Sequence, residues 1–152
     1  MEKEDFADMS RRQARELALQ ALFQLDFNQC QEAEKEKQQE ARLAVIDAAA
    51  AEMEGHLGSR DRQFVEELVN GTMDSLPEID GLISSASKEW KLSRMAGVDR
   101  NITRMAVFEL KFREEKVTPN IIINEAVELA KKFGTDDSSR FVNGILGAVL
   151  RK

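Results

Sequence analysis

Apolar residues return at three- and four-residue steps along almost the whole of this 152-residue chain, with no convincing strand alternation anywhere. That period restricts the chain to helices that each bury one stripe. Ser10 is placed to cap a first helix whose stripe is Ala14, Leu17, Ala18, Ala21, Leu22 and Leu25. Arg11, Arg12, Arg15, Gln13, Gln20 and Gln24 fall on its other side. A polar stretch follows, then EARLAVIDAAAAEMEG, whose strong helix formers predict a second helix with a narrow apolar stripe. From Ser59 a third helix carries Phe64, Val65, Leu68, Val69 and Thr72 on one face.

Pro77 suits the first turn of a fourth helix, because the missing N–H has no partner there anyway, and Ile79, Leu82, Ile83, Ala86 and Trp90 continue its stripe. The short join makes the third and fourth an antiparallel hairpin. Asp99 reads as the cap of a fifth helix whose MAVFEL segment, residues 105–110, is apolar on nearly every side, as a central helix is. Thr118 followed by Pro119 starts a sixth, lined by Ile122, Ala126, Leu129, Ala130 and Phe133. Gly134 then stands where a left-handed residue commonly ends a helix, and Asp136 or Asp137 where the next helix needs an acceptor for its free N–H groups. Val142, Ile145, Leu146 and Val149 mark the seventh, in which Gly144 and Gly147 suggest the close approach of another helix. The expectation is an all-α bundle of about seven helices.

The length suits one domain over 1–152, with 1–9 as a flexible start and 29–58 as a variable, acid-rich and alanine-rich insertion. Cys30 is the single cysteine, which suits a reducing compartment. The acidic start lacks the order of a signal peptide, and no run approaches the roughly 18 apolar residues that cross a bilayer, so a cytoplasmic protein is expected. A net charge of −6 argues against coating nucleic acid by bulk electrostatics, although local basic patches remain at both ends.

The inventory is poor for an enzyme. His56 and Cys30 have no spaced companions for a metal or a nucleophilic pair, and no phosphate-cradling glycine motif or nucleophile elbow is present. TDDSS lacks the alternating oxygens and the glycine of a calcium loop. No catalytic residue, metal or cofactor is expected. Arg11, Arg12 and Arg15 are another matter, since cations at a helix N-terminus oppose the macrodipole. Two readings stand: an RRxxR cluster whose guanidinium forks take phosphate, or a solvated end in which Arg12 pairs with Glu16. Lys131 and Lys132 have an ordinary place at the end of the sixth helix, and Phe133 falls on its apolar stripe.

RRQARELALQALFQLDF at the start and INEAVELAKKFGTDDSSRFVNGILGAVLR at the end, with FVEELVNG and NITRMAVFEL in order between them, resemble the NusB family of transcription antitermination factors. The resemblance covers most of residues 10–151. It implies a non-enzymatic protein that binds the single-stranded boxA element of nascent ribosomal RNA transcripts as a heterodimer with NusE, a protein of the small ribosomal subunit. That pair joins the RNA polymerase antitermination complex and helps the polymerase pass terminators. Residue by residue, it assigns RNA contacts to Arg11, Arg12, Arg15, Phe133, Gly134, Asp137 and Ser138, and NusE contacts to Asp99, Arg104 and Glu109. A homodimer of the free protein, burying its basic face, is also consistent with such a family. Two other readings compete: a helical adaptor that binds only protein, and an RNA-binding accessory domain like that of ribosomal RNA cytosine methyltransferases.

Overall fold

The computed structural model describes residues 10–28, 34–53, 57–87 and 92–151. Within them every regular element is a helix: α1 (Arg11–Asn28), α2 (Lys35–Glu52), α3 (Ser59–Asp74), α4 (Leu76–Ala86), α5 (Gly97–Val107), α6 (Pro119–Phe133) and α7 (Ser138–Leu150). A 3₁₀ turn, Leu92–Arg94, precedes α5, and a π turn, Phe108–Phe112, prolongs it. Trp90, Cys30, His56 and the first nine residues, on which several expectations fell, lie outside the described residues. No helix is long and apolar enough to cross a membrane.

The chain forms two compact units, Met1–Asn70 and Gly71–Lys152. In the first, α1 starts on a reciprocal cap. The Gln13 N–H donates to Ser10 Oγ at 3.1 Å, and the Ser10 N–H donates to Gln13 Oε1 at 2.9 Å, which satisfies two otherwise free amides. The stripe read from the sequence is then buried, from Ala14 through Leu17, Ala18, Ala21 and Leu22 to Leu25. Helix α2 packs on α1 but buries only Arg42 and Ile46, as its narrow stripe implies. Polar ties hold α2 to α3: Arg42 donates to Asn70 Oδ1 at 3.2 Å, and Arg62 pairs with Asp47 at 2.6 Å. Arg62 also donates to Glu66 at 2.7 Å; that bond, and then Asp47, raise its pKa above the usual arginine value against the opposing effect of burial.

In the second unit α5 is central, packing against α4, α6 and α7. Ile102, Thr103, Met105, Ala106 and Val107 are all buried, which fits the all-round apolarity of its sequence. A fork of two bonds ties it to α4, from Arg104 Nε to Asp80 Oδ1 at 2.9 Å and from Arg104 Nη2 to Asp80 Oδ2 at 3.0 Å. The Phe108 ring lies where a Cβ at Gly71 would stand, so glycine there admits the aromatic ring against the backbone.

Four local expectations are corrected. Helix α5 starts at Gly97 after Ala96, so Asp99 is its third residue and not its cap; the Ala96 carbonyl closes the first turn by accepting from the Arg100 N–H at 2.9 Å. Gly134 has φ −96° and ψ −165°, which is extended backbone and not left-handed. Asp137 occupies the N-cap position of α7 but makes no side-chain cap bond; the bond at this corner comes from Ser138, whose Oγ accepts from the Thr135 N–H at 2.9 Å. Gly144 and Gly147 admit no helix: a Cβ at Gly144 would meet nothing within 4 Å, and one at Gly147 would meet only the tip of Arg151 at 3.5 Å.

Candidate nucleic-acid interface

The basic end of α1 is built on an aromatic ring. Arg11 and Arg15 lie one helical turn apart, and both guanidinium groups stand over the Phe64 ring of α3, at 4.0 and 5.3 Å from its centroid. Phe64 is itself 4% exposed, so the ring is a fixed floor. Arg15 is 6% exposed, whereas Arg11 and Arg12 face solvent. Such stacking contributes about 0.5–2 kcal/mol per cation and offsets the unfavourable placement of positive charge at a helix N-terminus. It also restricts the side chains that must meet a phosphate before any phosphate arrives. Nothing in the spacing of the sequence marks Phe64 as more than core; only the packing of α3 beneath α1 reveals the platform.

The second region is the corner between α6 and α7. Ser138 is 2% exposed and holds the turn from within; its side chain fills the space a Cβ at Gly134 would need, which is why glycine is required there. Phe133 is half-buried at the end of α6, with Lys132 Nζ 5.4 Å from its ring centroid. Asp137 is exposed and makes no side-chain cap bond, so its carboxylate is left to solvent.

Asp137 and Ser138 line a cavity of 430 Å³ with Thr135, Arg140 and Phe141 on one side and Arg94, Met95, Ala96 and Asp99 on the other. The approach to α5 is held in place by Arg100, whose Nη1 donates to the carbonyls of Met95 at 3.0 Å and Leu92 at 3.3 Å. Asp99 stands in the first turn of α5, where the helix dipole favours a carboxylate, and its Oδ1 is enclosed without a hydrogen-bond partner among the described residues. The cavity thus gathers two carboxylates and two arginines. That is an arrangement in which amino groups and phosphates can both find partners. No cluster of His, Cys, Asp or Glu suited to a metal occurs among the described residues.

The structure therefore brings Asp99, assigned by resemblance to a protein partner, into one cavity with Asp137 and Ser138, assigned to RNA. Phe133 and Gly134 shape the corner without lining that cavity. Arg104 is engaged by Asp80, and Glu109 is 2% exposed, inside the π turn. The basic residues Arg94 and Arg140, absent from the residue assignments, also line the cavity; Arg140 belongs to the basic C-terminal end, and Arg94 is isolated in sequence. Another surface missed from sequence is apolar: Phe23 and Phe27, one turn apart near the end of α1, are 39% and 76% exposed.

The NusB family model matches residues 12–151. The chain belongs to the NusB family. The transcription antitermination protein NusB of Desulforamulus reducens is 46% identical over 142 residues, spanning 93% of this chain and 90% of that protein. The NusB of Desulforudis audaxviator is 44% identical over 145 residues, 95% of each. Among solved structures, T. maritima NusB matches with a TM-score of 0.80 at 29% identity, covering 95% of this chain and 93% of that one. A NusB–NusE antitermination complex crystallised with double-stranded RNA matches with a TM-score of 0.74 at 26% identity, covering 93% and 96%. Membership makes this NusB-family chain a transcription antitermination factor and not an enzyme, with the seven-helix all-α fold of that family.

Proposed function

We propose that this protein binds the single-stranded boxA element of nascent ribosomal RNA transcripts as a heterodimer with NusE, and that the pair joins the antitermination complex of RNA polymerase to carry it past terminators. The observation that carries the reading is the corner cavity, in which Asp137, free of capping duty, stands with Arg94 and Arg140. A carboxylate there accepts from the amino group of an unstacked base, and the flanking guanidinium groups take the phosphates. Arg11, Arg12 and Arg15 supply further phosphate contacts from the end of α1, while Phe133, Gly134 and Ser138 set the shape of the corner. The related NusB–NusE complex with RNA supports the same class of partners.

Toward NusE, Asp99 offers the cavity edge, and the Arg104–Asp80 fork and Glu109 fix the α5 face from which a contact is made. One family model spanning residues 12–151 supports treating 1–152 as one functional domain, and a partner on nascent transcripts places it in the cytoplasm. A homodimer of the free protein belongs to the same reading, and sedimentation at several concentrations without RNA tests it.

The deciding experiment is a titration of a short boxA-type RNA and a scrambled control, with and without NusE, at two salt concentrations. Sequence-selective binding that tightens with NusE is expected. NusE binding with no RNA preference would leave a helical adaptor that acts on protein alone.

A further inference from the structure

The outer surface of α6 and α7 holds a groove of 860 Å³ that no part of the reading above uses. Its polar seam is Asn120 and Asn124 from α6 with Ser139, Arg140 and Asn143 from α7, and Ile121, 51% exposed, lies beside them. The side chains of Asn120, Asn124, Asn143 and Arg140 are exposed and make no hydrogen bond to any other described residue. Asn124 and Asn143 stand inside helices, where asparagine is a weaker helix former than alanine. No internal bond offsets that cost. Arg140 lines both this groove and the corner cavity, so the two adjoin at that residue.

We propose that the α6–α7 groove is a second RNA subsite, which takes the single strand that continues past the boxA element out of the corner cavity. The inference rests on the RNA reading of that cavity. Amide side chains present a donor and an acceptor side by side, the pattern that meets the exposed edge of an unpaired base. Arg140 holds the phosphate at the junction, and Ile121 covers a sugar or base face. The groove carries one arginine, Arg140, and one carboxylate, Glu125, so it contributes base reading and little salt dependence.

Nested single-stranded RNAs test this, titrated against the full chain in complex with NusE: a boxA-type element alone, and the same element extended by about six nucleotides at its 5′ or 3′ end. One extension should tighten binding roughly tenfold, the sum of two net hydrogen bonds. The double variant Asn124→Ala/Asn143→Ala should lose that gain while binding the unextended element as wild type does. Because alanine is the better helix former, its melting temperature should hold or rise, which separates lost binding from lost folding. No gain from either extension, a gain retained by the double variant, or a loss of NusE affinity in that variant overturns the subsite, the last by marking the groove as a protein surface. Failure of wild type to bind the unextended element overturns the RNA reading itself.

Discussion

The arginine end of α1 and the corner between α6 and α7 carry the same proposed task in opposite ways. At the arginine end the chemistry is plain in the sequence and the support is hidden: RRxxR declares its charge, but only the fold shows Arg11 and Arg15 resting on Phe64. At the corner the support is plain and the chemistry hidden. A glycine and two aspartates announce a turn, yet the side-chain bond that holds it runs from the Thr135 N–H to Ser138, and Asp137 makes no cap bond. An exposed acceptor that makes no structural bond is available for a ligand.

The largest test of this contrast removes the charges. The triple change Arg11→Ala/Arg12→Ala/Arg15→Ala should weaken RNA binding about a hundredfold and flatten the slope of log K against log salt by roughly 2, as expected for three lost contacts on a single strand. A slope unchanged in the salt titration would return the cluster to being a solvated helix end. Asp137→Ala should lower boxA affinity about tenfold while changing stability by less than about 0.5 kcal/mol in urea unfolding, since no cap is lost.

Ser138→Ala should behave in the reverse sense. It should cost about 1 kcal/mol of unfolding free energy, because the buried hydroxyl that accepts from Thr135 is gone. Equal stability of the Asp137 and Ser138 variants would erase the division of labour at the corner. The smallest effect is expected for Phe64→Leu, which keeps an apolar side chain beneath the arginines and removes only the π face. A severalfold loss of RNA affinity, about 0.5–1 kcal/mol, is the anticipated result, read by the same titration.

Helix number and order were legible because each helix buries one stripe, and burial leaves its period in the sequence; the α1 run from Ala14 to Leu25 shows it most clearly. Helix starts were less so. Ser10 and Gln13 form a reciprocal cap that two residue types at the right spacing announce, whereas α5 begins at Ala96-Gly97 without any capping side chain, so Asp99 drew the boundary three residues late. At the corner, Asp136, Asp137 and Ser138 are all competent acceptors, and backbone geometry alone decides which one bonds. Gly144 and Gly147 misled because a glycine in a helix has the same sequence signature whether a neighbour approaches or solvent does. The residue assignments at the site came from family likeness. Arg94 and Arg140 escaped them because what joins them is a cavity assembled from two stretches of chain far apart in sequence.

The freed carboxylate of Asp137 is the central claim, and one comparison tests it most directly: the ratio of boxA to scrambled RNA affinity for Asp137→Ala against wild type in the presence of NusE, with thermal unfolding of both proteins alongside. The account predicts that selectivity falls about tenfold while the melting temperature stays within about 2 °C. A melting temperature lowered beyond that with selectivity unchanged would make Asp137 a helix cap and nothing more, and would contradict the account.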